Sequence, residues 1–344
     1  MISLSQKFKN KIRSWIPDSI KKTYYRVRKN IAISVATRKR EAWLSPVEIA
    51  EYRKKIKIYD AFIFFNEIET LEIRLNILDE YVDYFIIVES TETHAGKQKK
   101  LFYEENKELF KKWHHKIIHY VVRDSPSTKA EFTERLTKTQ PNDLDKEVIK
   151  HTLENFVNYS PETSASKNES YWLKEHYQRE CIKKALIGMS DNDFCFISDL
   201  DEIWNPCALV DYSKDDIFYF EQTVYNYYLN NRSDEYWTGT IGTKYKNIGS
   251  SSINKLKHSR GKQYTLINNG GWHFSYQGGI DRIESKIESY GHQENNTNAV
   301  KSKLKQKLEK NTDIFDRKFN YKKDESQLPL YLLKNKEKYK KFFS

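Results

Sequence analysis

The chain has 344 residues, 38% hydrophobic and 31% charged, with a formal net charge of +11 at pH 7. That is enough apolar material for a packed core and too much for a disordered chain, while 11 Gly and 7 Pro exclude collagen-like and low-complexity classes. The longest apolar runs, such as AFIFF (61–65) and YFIIV (84–88), fall well short of the roughly 20 residues of a membrane-spanning helix, and Lys7, Lys9, Lys11 and Arg13 interrupt any signal peptide.

The charge is uneven. Residues 1–58 carry a balance of +12 and residues 301–344 one of +8, so 59–300 stands at −9. A basic total suggests nucleic acid, but an acidic body argues against it and moves the question to the ends. Cys181, Cys195 and Cys207 lack zinc-site spacing. Their odd number points to a reducing compartment without a disulfide framework.

In chain order, residues 1–45 read as basic helix, with Ile2, Leu4, Phe8, Ile12, Trp15 and Ile16 near helical spacing. The segment 1–55 is expected to be an amphipathic arm on an anionic membrane surface; a solvated helix packed on the body or a partner is the plainer alternative. Strands are expected over 56–65, 82–90, 116–122 and 193–198, with one or two more over 217–229. Helices are expected over 67–80, 104–113, 169–189 and 281–290. The polar region 124–168 reads as a flexible loop or a poorly patterned helical insertion. Strands alternating with helices predict an α/β domain over 56–300 with a mostly parallel central sheet, followed by a basic helical extension over 301–344. Ligands in such sheets bind at the carboxyl ends of the strands.

The sharpest chemical signal is ISDLDEI (197–203), an apolar strand running into Asp199, Asp201 and Glu202. Burying these carboxylates is costly unless something cationic compensates. If extended backbone continues through Leu200, Asp199 and Asp201 share one face, which suits Mg2+ or Mn2+ carrying a diphosphate; a surface acidic turn is the bland alternative. The first strand ends in Phe65-Asn66-Glu67 and the second in Glu89-Ser90, positions where acids accept hydrogen bonds from a ribose or base. Ordinary helix capping by Asn66 and Glu67 explains them equally well.

INNGGWHFSYQGGID (267–281) holds four of the 11 glycines around Trp272, His273 and Tyr276. Trp272 and Tyr276 are expected to shape a sugar site, and His273, with His292 second, to complete a metal shell. A β-hairpin with a core Trp and a satisfied His is the plainer reading. Asp281 opens the last patterned helix and is the first candidate for a base that accepts a hydroxyl proton, with Glu202 second. A helix N-cap alone also explains Asp281.

YDAFIFFNEIETLEIRLNILDEYVDYFIIVESTETHAGKQKKLFYEEN (59–106), ISDLDEI (197–203), NGGWHFSYQGG (269–279) and HQEN (292–295) closely resemble glycosyltransferase family 17. That is the family of β-1,4-mannosyl-glycoprotein 4-β-N-acetylglucosaminyltransferase. The resemblance implies a GT-A-type nucleotide-sugar-binding fold and an inverting transfer from a UDP-sugar, UDP-GlcNAc foremost, with Mn2+ or Mg2+. It assigns Asp199 and Asp201 to the family's acidic motif. It also assigns Arg179 in HYQRE (176–180), and Lys97 after Gly96, to the nucleotide. Unlike the animal members, this sequence reads without an N-terminal membrane anchor, a basic arm standing in its place.

The expected activity is therefore metal-dependent inverting glycosyl transfer to a glycan or lipid-linked saccharide at the cytoplasmic face of a membrane. No nucleic acid is expected as a partner, and the tails are an alternative site for homodimer contacts. A nucleotidyltransferase would want a Gly-rich basic loop where FFNEIE stands. A non-catalytic basic-tailed adaptor with a degenerate core is the non-enzyme alternative.

Overall fold

The computed structural model describes residues 44–141, 143–159, 170–258 and 264–344. The expected arm over 1–45 lies outside the described residues apart from its last two positions. In chain order the helices are α1 (Pro46–Arg53), α2 (Ile68–Leu78), α3 (Phe102–Asn106), α4 (Lys129–Lys138), α5 (Leu144–Tyr159), α6 (Ser170–Glu180) and α7 (Ile182–Ala185). They continue as α8 (Tyr245–Gly249), α9 (Ile253–His258), α10 (Ile280–Ser289), α11 (Asn298–Lys301), α12 (Leu304–Glu309) and α13 (Leu330–Lys334). The polar region thus carries α4 and α5, the helical alternative, and residues 142 and 160–168 within it are not described.

The expected first four strands form as β1 (Ile58–Phe64), β2 (Tyr84–Ser90), β3 (Ile117–Val122) and β4 (Phe194–Asp199). They pair in parallel in the order β3-β2-β1-β4. Strands covered on both faces bury nearly every side chain, hence runs such as the fully apolar Phe85–Val88 of β2.

Beyond β4 the sheet is mixed, which corrects the mostly parallel expectation. β5 (Glu202–Trp204), β6 (Phe218–Asn226), β7 (Asn231–Ser233), β8 (Ile241–Lys244), β9 (Thr265–Ser275) and β10 (Tyr321–Lys323) complete ten strands among the described residues. β8 is antiparallel to β4 and β6, β7 to β6 and β10, and β5 to β9, while β6 and β9 run parallel. The turn from β6 into β7 is too short for a helical crossover, so these neighbours pair antiparallel. The Gly-rich stretch is not a hairpin: residues 267–275 belong to one long strand, β9, and Gly278 and Gly279 lead into α10.

Two polar residues stand inside this apolar frame. Asp60 in mid-β1 and Arg74 on the buried face of α2 are both fully buried and pair through two 2.7 Å hydrogen bonds. The Trp204 indole donates to the same Asp60 carboxylate at 3.1 Å.

Residues 301–344 belong to the same compact unit as the sheet, Leu44–Ser344. Leu304 and Ile314 join Tyr227, Ile283 and Ile287 in a second apolar cluster beneath α10. Lys338 and the Tyr339 hydroxyl bond Glu72 of α2. Much of the basic C-terminal charge meets acids in this way, as in the pairs Lys341–Glu69, Lys301–Glu288 and Arg317–Glu235.

Removing Arg74 strands a buried carboxylate. Arg74→Ala is expected to lower the unfolding free energy by about 3–5 kcal/mol in a urea titration. Arg282→Ala, which breaks the half-exposed pair with Glu69, costs no more than about 1 kcal/mol. Equal losses refute the distinction.

Candidate active site

The parallel strand order reverses between β1 and β4, the position where open α/β sheets bind ligands outside the carboxyl ends of their strands. A cavity of about 550 Å³ opens there, lined by the ends of β1 and β4, by α6 and α10, and by β9. Arg74 lies behind the lining and holds the turn that forms part of it. Besides Asp60, its guanidinium donates to Ser198 Oγ (2.6 Å) and to the carbonyls of Asp199 (3.0 Å), Leu200 (3.0 Å) and Glu202 (3.1 Å). The acidic turn is thereby held by its backbone, while Asp199, Asp201 and Glu202 line the cavity.

Each carboxylate of the turn meets a cation from another element. Asp199 contacts Arg179 of α6 at 3.1 Å and Lys257 of α9 at 2.8 Å. Lys257 also reaches Glu202 at 2.7 Å, and Trp237 Nε1 donates to the other Glu202 oxygen at 2.9 Å. A Cβ at Gly239 would overlap both that carboxylate and that indole, so only glycine lets the chain pass. Asp201 contacts Lys286 of α10 at 2.8 Å and His273 Nε2 of β9 at 3.6 Å.

Burial pushes the Asp199 and Asp201 carboxyls up. Lys257 and Arg179 outweigh it at Asp199, and Lys286 and His273 outweigh it at Asp201, holding both well below the usual carboxylate range. Burial likewise opposes the charge on His273, but the neighbouring Asp201 carboxylate prevails and raises its pKa. Tyr276 has a left-handed backbone (φ 54°), uncommon for a bulky residue, and its ring lies 5.6 Å from the Lys286 ammonium.

Of the residues singled out in the sequence, Phe65, Glu67, Arg179, Asp199, Asp201, Glu202, His273, Tyr276 and His292 line the cavity. Asn66, Glu89, Lys97, Trp272 and Asp281 are not among the lining residues. Asn66 does not cap α2: the capping position is Glu67, which makes no side-chain cap bond and instead reaches Lys286 at 3.4 Å. Glu89 is fully buried and accepts from Lys99 (2.9 Å), His119 (3.1 Å) and the backbone N–H of Phe102 (2.6 Å). Its oxygens are spent on positioning Lys99, which does line the cavity. Lys97 is exposed, and the Trp272 indole donates to the Gln327 carbonyl. Asp281 is exposed in the first turn of α10, where it makes no cap bond because the N-cap is Gly279.

His292 pairs with Glu294 at 2.7 Å and sets its ring against Trp172, so it does not join the aspartates. Among the described residues no group of three or more His, Cys, Asp or Glu is arranged to hold a metal ion. Asp199 and Asp201 nonetheless fit a hard divalent cation in charge and donor type, in competition with the lysines they now hold.

Sequence reasoning missed Arg74, Lys257, Lys286, Trp237 and Glu235. Arg74 had a visible signal: a charged residue on the apolar stripe of a helix, matched by Asp60 within an apolar strand. Lys257 and Lys286 had none, because they read as ordinary surface lysines.

A family model described as Glycosyltransferase family 17 matches residues 36–156. The match supports the family resemblance and, with it, a glycosyltransferase. It covers β1 to β3, including Asp60 and Arg74; the acidic turn, His273 and Lys286 lie beyond it. No curated protein matches the chain.

The ion pairs set a pH dependence. Asp201 is depressed in the folded state, so its contribution to stability is complete above the unfolded value of about 3.9 and is lost as pH falls toward the folded one. Lys286→Met raises the folded Asp201 value. The loss of unfolding free energy between about pH 5 and pH 3 is then expected to shrink by on the order of 1 kcal/mol, read by urea unfolding at both pH values.

Proposed function

We propose that the chain is a GT-A-type glycosyltransferase that moves a sugar, GlcNAc first, from a UDP-sugar to a saccharide or lipid-linked saccharide with inversion at the anomeric carbon. The observation that carries this reading is the acidic turn at the strand-order reversal, backbone-fixed by Arg74 and ringed by Arg179, Lys257 and Lys286. Such a ring suits a diphosphate, because Arg and Lys donate charge-assisted hydrogen bonds to phosphate oxygens. Phe65 and Lys99 line the cavity beside the end of β1, where the nucleoside is expected, while Tyr276 and Trp237 offer faces for the sugar.

A Mn2+ or Mg2+ ion is proposed at Asp199 and Asp201. Two carboxylates suffice for such an ion when substrate phosphates complete its shell. Bound there, it neutralises charge on the departing diphosphate. The protein's own part is to keep both aspartates ionised and to hold the turn still. Neither Lys257 nor Lys286 is tied to one partner: Lys257 bridges Asp199 and Glu202, and Lys286 bridges Asp201 and Glu67.

The basic arm 1–55 is proposed to hold the enzyme against an anionic cytoplasmic membrane face. No helix among the described residues is long and apolar enough to cross a membrane.

Two measurements test this reading. UDP with Mn2+ is expected to raise the melting temperature, since a ligand bound only by the folded state stabilises it. Asp201→Ala should lower turnover of the best UDP-sugar at least about a hundredfold. Absence of any UDP-dependent stabilisation, or full activity in the variant, overturns the site. For the arm, the chain with and without residues 1–45 is spun with vesicles containing anionic lipid; equal pelleting of the two removes the membrane role.

A further inference from the structure

An inverting displacement needs a group that takes the acceptor hydroxyl proton. Neither carboxylate favoured by the sequence suits that role: Asp281 is exposed and outside the cavity lining, and both Glu202 oxygens are occupied by Lys257 and Trp237.

The remaining carboxylates that line the cavity divide sharply. Asp199 and Asp201 are paired at both oxygens. Glu67 is held by Lys286 and the Asn66 N–H, Glu92 by Lys174 and Gln98, and Glu175 by Arg179 and His94. Glu235 differs. Its Oε1 accepts from Arg317 at 3.3 Å, and its Oε2 has no hydrogen-bond or ion-pair partner among the described residues. Arg317 is itself anchored on Asp313 through Nε and a second nitrogen, so the arm that steadies Glu235 is rigid.

Glu235 also lies near the acidic turn. It is two residues from Trp237, whose indole holds Glu202 and whose ring stands 4.8 Å from His273, the neighbour of Asp201. From these contacts we propose that Glu235 is the catalytic base: it lines the cavity, one oxygen is fixed by Arg317 and the other is open to an acceptor hydroxyl. The assignment rests on the glycosyl-transfer reading above.

In the reaction, Glu235 Oε2 takes the acceptor O–H proton as that oxygen bonds the anomeric carbon. The bond from the anomeric carbon to the diphosphate breaks, and its electron pair leaves with the diphosphate. Burial raises the Glu235 pKa, and the opposing pull of Arg317 and His273 does not cancel it, so this carboxylate is more basic than an ordinary glutamate.

The test uses the full chain with Mn2+ and UDP-GlcNAc, or the best UDP-sugar, and follows UDP release with water as acceptor. Glu235→Gln and Glu235→Ala are expected to lose about 10²- to 10⁴-fold in rate while keeping the thermal shift caused by UDP. Azide, a nucleophile with no proton to remove, should restore turnover in Glu235→Ala and yield a glycosyl azide. Near-wild-type rates in both variants overturn the assignment. So does a loss that azide does not restore, which makes Glu235 a positioning residue. A wild-type chain that neither binds UDP nor cleaves any UDP-sugar fells the glycosyltransferase reading itself, whereas an active wild type with indifferent variants fells only the base.

Discussion

The Asp60–Arg74 pair is the contact on which the site's geometry depends. It joins the middle of β1 to α2, and through three carbonyls it reaches the turn between β4 and β5. A buried ion pair contributes little net stability, because desolvation offsets the attraction. Its use here is positional. An arginine that donates to a carboxylate, a hydroxyl and three carbonyls leaves the turn few alternative conformations. Trp204 extends the arrangement: it donates to Asp60 and stacks flat on Phe196 of β4 at 3.8 Å.

Around that turn, charge is matched element by element. The turn supplies three carboxylates, while α6, α9 and α10 each deliver one cation to them. These helices are separated in sequence by strands of the sheet, so the match exists only once α6, α9 and α10 have all packed around the turn. This arrangement explains why so many acidic groups tolerate burial at one strand end. Bringing the cations this close also holds both aspartates well below the usual carboxylate range, so they stay ionised at neutral pH.

How much of this was legible in the sequence follows from the length and periodicity of each element. β1 to β4 are mostly apolar strands of six or seven residues and read directly, as does the acidic turn after β4. β5, β7 and β10 have three residues each, too few for any period to show, and the mixed half of the sheet was therefore missed. Composition around β9 pointed to the right segment for a partly mistaken reason. His273 does face Asp201, but Trp272 is turned onto the C-terminal segment, and Gly271 (φ 150°) is there because a Cβ would strike the backbone of Ile203 and Trp204. Lys257, Lys286 and Glu235 carry no local pattern at all. Only the tertiary fold brings residues so distant in sequence together.

The docking of Lys338 and Tyr339 on Glu72 ties late residues to the helix that carries Arg74. A chain emerging from the ribosome makes β1, α2 and β4 long before it makes Arg317 or Tyr339. Domains tend to fold from the N-terminal side during synthesis, so the nascent parallel half would carry the acidic turn with Arg179 in place but with Lys257 and Lys286 still missing. Maturation of the cavity thus comes as a closing step of biogenesis, when the tail wraps back across α2.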